Sequence, residues 1–121
     1  MANVLIVEDD TALREVFCLI VGNGGHTVVT AQDGSDALDK LKTFEPDIVL
    51  LDMLMPVKSG IEFLQESNIK KTHPKCVVII LSNLSESHTI DHALKLGAVK
   101  HIIKSDIDPK DLLKEIAEYV A

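Results

Sequence analysis

No apolar run in these 121 residues approaches the ~20 that carry a helix across a bilayer. The opening MANVLIVEDD lacks the basic start and small-residue cleavage site of a secretory signal. No CxxC pair is present. The two cysteines, Cys18 and Cys76, lie far apart in apolar surroundings, which reads as free core thiols in a reducing cytoplasm. An excess of basic charge is missing too. Twelve Lys and Arg against nineteen Asp and Glu leave a net charge of −7, which argues against direct nucleic-acid binding. A metal or a basic partner stays open, and any single Glu or Lys reads by default as solvated helix surface. Low-complexity stretches are absent and 46% of the residues are hydrophobic, so one packed cytoplasmic domain over 1–121, with no membrane association, is expected.

What is present is an alternation. Five apolar, β-branched runs recur: VLIV (4–7), TVVTA (27–31), DIVLL (47–51), CVVIIL (76–81) and AVKHII (98–103). Near-continuous apolar character is what strands buried on both faces require. TVVTA is the most polar run and is the candidate edge strand. Helical patterns separate them. Leu13, Val16, Phe17 and Ile20 share a face of a first helix that stops near Gly22–Gly25. Ala37, Leu38 and Leu41 mark a second. Ser59 and Glu62 have capping-box spacing before a third. Ile90, Ala93, Leu94 and Gly97 mark a fourth and its stop. Asp108-Pro109 opens a fifth, with Leu112, Leu113, Ile116 and Val120 inward. Five βα units with right-handed crossovers predict an α/β fold, a three-layer doubly wound (βα)5 sandwich around a parallel sheet. Its chemistry belongs at the carboxyl ends of the strands.

Four strands end in polar groups there: Glu8-Asp9-Asp10 after the first, Asp52 after the third, Ser82 after the fourth, Lys104 after the fifth. Asp52 interrupts IVLLDMLMP, the most apolar segment, and a buried unpaired carboxylate is expensive. Carboxylates about 5 Å apart repel by roughly 3 kcal/mol per pair at an effective dielectric near 20. Lys104 supplies one positive charge; a hard divalent ion, Mg²⁺ with Mn²⁺ as a substitute, supplies the rest. Taken singly, an acid after a strand is more often a helix cap, and Asp10 is read as one. The conjunction instead suggests phosphoryl transfer to Asp52 as nucleophile. Asp9 and Asp52 would hold the metal, Lys104 would neutralise charge, and the Ser82 hydroxyl would donate to the phosphoryl group.

VLIVEDD, LLDMLMPVKSG, ILSN, LKLGA and the lysine of IIKS together resemble the receiver domain of two-component response regulators, over essentially the whole chain. The most specific part is D-x-x-M-P-x-x-x-G from Asp52 to Gly60. The resemblance implies a flavodoxin-like sheet of order 2-1-3-4-5. It implies Asp52 as phosphoacceptor for a histidine kinase or phosphotransfer protein, giving an aspartyl phosphate. Asp9 and the Leu54 backbone carbonyl would join Asp52 as Mg²⁺ ligands, with Glu8 completing the acidic pocket indirectly. Ser82 takes the switch-hydroxyl position and Lys104 that of the family's lysine. The output would be a protein-interaction surface around the fourth helix and fifth strand, read by a downstream protein or an output domain outside this chain.

Departures cluster on the output side. Ser105 stands where the family usually has proline, and a cis bond before serine would cost ~3 kcal/mol. His101 stands at the switch-aromatic position and carries a pH-dependent charge. Asn83 replaces a small residue. A phosphorylation-independent binding module of the same fold is therefore the alternative. A haloacid dehalogenase-type phosphatase, an enzyme rather than a signalling domain, needs an acid where Leu54 stands. His88 and His92, one turn apart, read as a solvated face rather than a zinc site, because Thr89 takes the place of the HExxH glutamate. Gly22–Gly25 follows a helix and is no dinucleotide fingerprint. His26 and His73 show no partner in the sequence. Leu54 and Leu84 lie two residues past Asp52 and Ser82, positions that in this family flank the path of the hydrolytic water. Being apolar, they predict slow phosphate loss. Decay of the phosphorylated isolated domain within seconds, followed by phosphate release, contradicts this.

Overall fold

The five apolar runs form five parallel strands in the computed structural model. It describes residues 2–119 apart from 54, 56, 83–86 and 105–106, and leaves the side chains of 87 and 88 undescribed. The elements are β1 (Asn3–Val7), α1 (Thr11–Asn23), β2 (Thr27–Ala31), α2 (Gly34–Lys40), β3 (Ile48–Asp52), α3 (Gly60–Ser67), α4 (Ile69–Thr72), β4 (Val77–Ser82), α5 (Ser87–Lys95), β5 (Ala98–Ile103) and α6 (Pro109–Tyr119). The sheet order is β2-β1-β3-β4-β5, every pairing parallel. TVVTA is an edge strand, as its polarity predicts. No helix among the described residues is long and apolar enough to cross a membrane.

Alternation along each strand divides the core. Leu5, Val7, Val49, Leu51, Val78 and Ile80 face Ala37, Phe63, Leu64 and Ala93 on one side. Val4, Ile6, Ile48, Leu50, Ile79 and Leu81 face Phe17, Val21, Leu112 and Ile116 on the other. Ile48 to Leu51 are wholly buried. At 1.5–3 kcal/mol for each aliphatic side chain, this central strand anchors whatever its end carries.

The predicted caps are in place. Leu13 N–H donates to Asp10 Oδ1 at 3.1 Å, and Asp111 N–H to Asp108 Oδ1 at 2.9 Å. Ser59 and Glu62 form both bonds of a capping box. Asp33 caps α2 with a single bond, accepting from Asp36 N–H.

Several details differ from the sequence reading. Asn68 adopts the left-handed conformation (φ 50°), ending α3 and setting off the one-turn α4, so six helical segments are described instead of five. Asparagine enters that region more easily than other non-glycine residues. Val16 is 48% exposed, because α1 turns Phe17 and Val21 to the sheet; Leu94 is exposed on α5 as well. Val120 lies outside the described residues. The cysteines are free but half-buried rather than core. Burial, with Asp47 adding to it, pushes the Cys76 thiol up to about 12. His26 and His73 do have partners: Ala2 N–H donates to His26 Nδ1 at 3.0 Å, and His73 Nδ1 shares a hydrogen bond with Thr72 Oγ1.

The segment after β3 is held by two glycines. Gly34 N–H donates to Lys58 O at 3.0 Å, and Gly60 N–H to Met53 O at 3.2 Å. A Cβ on Gly60 would lie 2.5 Å from the Asp52 carbonyl oxygen and 2.3 Å from the Met53 methyl. The methyl can move; the strand-end carbonyl cannot move without taking Asp52 with it. Gly60→Ala should therefore lower stability by about 1–3 kcal/mol, as overpacking does, read as a lower denaturant midpoint at an unchanged m-value.

Candidate functional site

Parallel pairing brings the carboxyl ends of β1, β3, β4 and β5 to one edge. Glu8 continues the ladder past β1 by donating its N–H to Ala31 O, which draws it inside; it is 2% exposed. Asp9, one residue on, is exposed. Asp52 is the last residue of β3 and is buried. Ser82, also buried, ends β4 one position past Leu81, the register partner of Asp52.

Lys104, following β5, joins these ends. Its side chain is only 8% exposed. Its Nζ forms an ion pair with Glu8 Oε1 and lies 3.2 Å from Asp52 Oδ2. The other Glu8 oxygen accepts the Asp10 N–H at 3.1 Å. One carboxylate oxygen from each of Glu8, Asp9 and Asp52 lies within 4.8 Å of the other two. At that spacing each pair of ionised groups repels by roughly 3 kcal/mol at an effective dielectric near 20. One ammonium cannot balance three such carboxylates.

Burial and the neighbouring charges together shift the titrations. Glu8 is raised to about 7, chiefly by burial; the Asp52 charge adds, while Lys104 and the Asp10 N–H oppose. Burial pulls Lys104 down, but its hydrogen bond to Glu8 and the charges of Asp52 and Glu8 outweigh that, so it is raised overall and stays an ammonium. The cation is kept, and a buried acid gives way. Three hard oxygen donors with surplus negative charge are a donor set suited to Mg²⁺.

His101 is the register partner of Ile80 on β5 and is half-buried. Its Nε2 is buried without a hydrogen-bond partner among the described residues. Leu54, Asn83, Leu84 and Ser105 lie outside the described residues, as does the Lys104–Ser105 bond.

The family model for the response regulator receiver domain matches residues 4–117. The chain belongs to that family. This receiver is 34% identical to the response regulator RR06 of Streptococcus pneumoniae over 102 residues, 84% of this chain and 46% of the relative. It is 31% identical to the phosphate regulon transcriptional regulatory protein PhoB of Escherichia coli, over 93% of this chain and 49% of PhoB. The receiver thus spans about half the length of these curated relatives. Among solved structures, the chemotaxis protein CheY4 of Vibrio cholerae superposes with a TM-score of 0.90 at 27% identity, covering 99% of both chains. Receivers are signalling domains rather than enzymes in the ordinary sense; a methylesterase among the relatives is matched over only 33% of its length.

One residue at this edge escaped the sequence reading. Arg14 Nη1 donates to the Glu8 carbonyl oxygen at 2.8 Å. A basic side chain so near a helix start, where acids are favoured, is the signal that marks it.

The Glu8 shift has a sign. An acid that holds its proton more tightly folded than unfolded stabilises the fold below about pH 4.5, and that contribution is lost as pH rises through about 7. Without divalent ions, Glu8→Gln should therefore melt higher than wild type at pH 8, and the difference should close toward pH 5. Thermal unfolding in EDTA across that range checks this.

Proposed function

We propose that this receiver is a phosphoacceptor, taking a phosphoryl group onto Asp52 from the phosphohistidine of a histidine kinase or phosphotransfer protein. The observation that carries the reading is the buried Asp52 carboxylate, ion-paired to Lys104 and within 4.8 Å of the Glu8 and Asp9 oxygens. Asp9 and Asp52 would hold Mg²⁺ directly, with the Leu54 carbonyl as a further ligand and Glu8 acting from behind. When bound, the ion neutralises phosphoryl oxygens and offsets the carboxylate repulsion.

The chain's own residues do the rest. An Asp52 oxygen attacks phosphorus, an O–P bond forms, and the donor's N–P bond breaks with its electron pair returning to the imidazole. Lys104, held charged by Glu8 and Asp52, is already beside the acceptor and stabilises the charge gathering on the phosphoryl oxygens. Glu8, pairing with Lys104 and accepting the Asp10 N–H, keeps the ammonium aimed without competing as a nucleophile. The Ser82 hydroxyl, at the end of the neighbouring strand, would donate to the phosphoryl group and bias the surface of α5 and β5. That surface would engage a downstream protein or an output domain outside these residues.

His101 supports a second reading, a binding module of the same fold that works without phosphate. Its orphaned ring nitrogen departs from the Tyr or Phe common in the family at that position. One experiment separates the two. With Mg²⁺ and beryllofluoride, wild type should change its NMR spectrum across α5 and β5, and acetyl phosphate should add one phosphoryl group. Asp52→Asn should do neither. Equal labelling of Asp52→Asn, or an unresponsive wild type, refutes the phosphoacceptor reading.

A further inference from the structure

We infer that Arg14 is a positioning residue for the divalent-cation pocket, acting through the Glu8–Asp9 peptide. The inference rests on the phosphoacceptor reading and extends it to a residue outside the acid cluster.

Arg14 is the fourth residue of α1, in the turn where a positive charge opposes the helix dipole, and α1 has no acid in its first turn. Helix stability alone therefore disfavours it there. Its guanidinium reaches back over the start of the helix. Nη1 donates to the Glu8 carbonyl at 2.8 Å, and Nη2 lies 3.5 Å from Thr11 Oγ1. That carbonyl belongs to the peptide whose next residue is Asp9, the exposed acid of the cluster.

The rest of the turn is pinned already. Glu8 N–H is tied to Ala31 O, Asp10 N–H to the Glu8 carboxylate, and Asp10 itself caps α1 through Leu13 N–H. The Glu8 carbonyl is a polar handle on the Glu8–Asp9 peptide plane, and Arg14 holds it with a charge-assisted bond. Rotation of that plane would swing Asp9 away from Glu8 and Asp52. Holding it fixes where the Asp9 carboxylate points, the role an outer partner plays for a metal ligand.

Charge and positioning predict opposite signs. A nearby positive charge repels a divalent cation, so simple loss of the Arg14 charge should tighten Mg²⁺ binding. Loss of positioning should weaken it. The test is Mg²⁺ titration of the metal-free domain by amide NMR, with thermal unfolding as a check of the fold. Arg14→Gln, whose amide ends short of the carbonyl, and Arg14→Ala should each bind Mg²⁺ about 10-fold more weakly, the low end for loss of an outer partner. Arg14→Lys, which keeps a charged donor of nearly the same reach, should stay within about two-fold of wild type. Unchanged or tighter binding by the folded neutral variants, or a lysine variant as weak as they are, overturns the inference. A wild type that binds no Mg²⁺ refutes instead the metal pocket of the proposed function.

Discussion

The arrangement depends on one imbalance: among the described residues, three carboxylates meet at the end of a buried sheet with a single buried ammonium between them. Lys104 pairs with Glu8 and Asp52 together, so it cross-links the ends of β1, β3 and β5 at this edge. The repulsion left over cannot relax by moving the acids apart. Asp52 sits on β3, whose preceding residues are wholly buried between α-helical layers, and Glu8 is stitched to β2 through Ala31. Hydrophobic burial thus holds together charges that water would separate. A parallel sheet is well suited to this, because every strand delivers its last residue to the same side.

Burial then divides the acids by role. Glu8 is enclosed, and its proton affinity rises until it titrates near neutrality. Asp9 follows it in the chain but faces solvent, where an ion keeping several of its waters can reach it. Asp52 lies between them, buried yet at the strand's end. The chain thus separates an acid enclosed against the lysine from one open to solvent, by a single residue's difference in position just past β1.

Much of this was legible in the residues themselves. Continuous β-branched runs located all five strands to within a residue or so, and the polar residues closing four of them pointed to the edge that carries Glu8, Asp52, Ser82 and Lys104. Asp10, Ser59 with Glu62, and Asp108 announced their helices through capping chemistry, which is local in sequence. What escaped notice depends on contacts between distant segments or on conformations with weak sequence signals. The third helix carries a start signal at Ser59 but no stop signal as plain, and Asn68 ends it by turning left-handed. Val57 adopts a positive φ that a β-branched residue resists, with no local cue beyond its place after Met55-Pro56. Val16 fits the apolar spacing of α1 and still faces water, because the helix presents Phe17 and Val21 to the sheet. Arg14 looks like an ordinary surface charge until the turn between β1 and α1 is folded beneath it.

The loop from Met53 to Ser59 shows why the site tolerates such strain. Its ends are fixed by close approaches that only glycine permits, Gly34 against the Lys58 carbonyl and Gly60 against the Asp52 carbonyl. With Lys58 also bound to Glu66 at 2.6 Å, the loop is anchored to both α2 and α3. Val57 is 76% exposed, so its left-handed backbone gains nothing from side-chain burial. A strained backbone of this kind costs on the order of 1–3 kcal/mol and persists only where its surroundings over-determine it. Here the surroundings are the two glycine contacts and the ion pair. Their combined effect is to hold Lys58 and Gly60 close against α2 and the end of β3, beside the carboxylate that interrupts IVLLD.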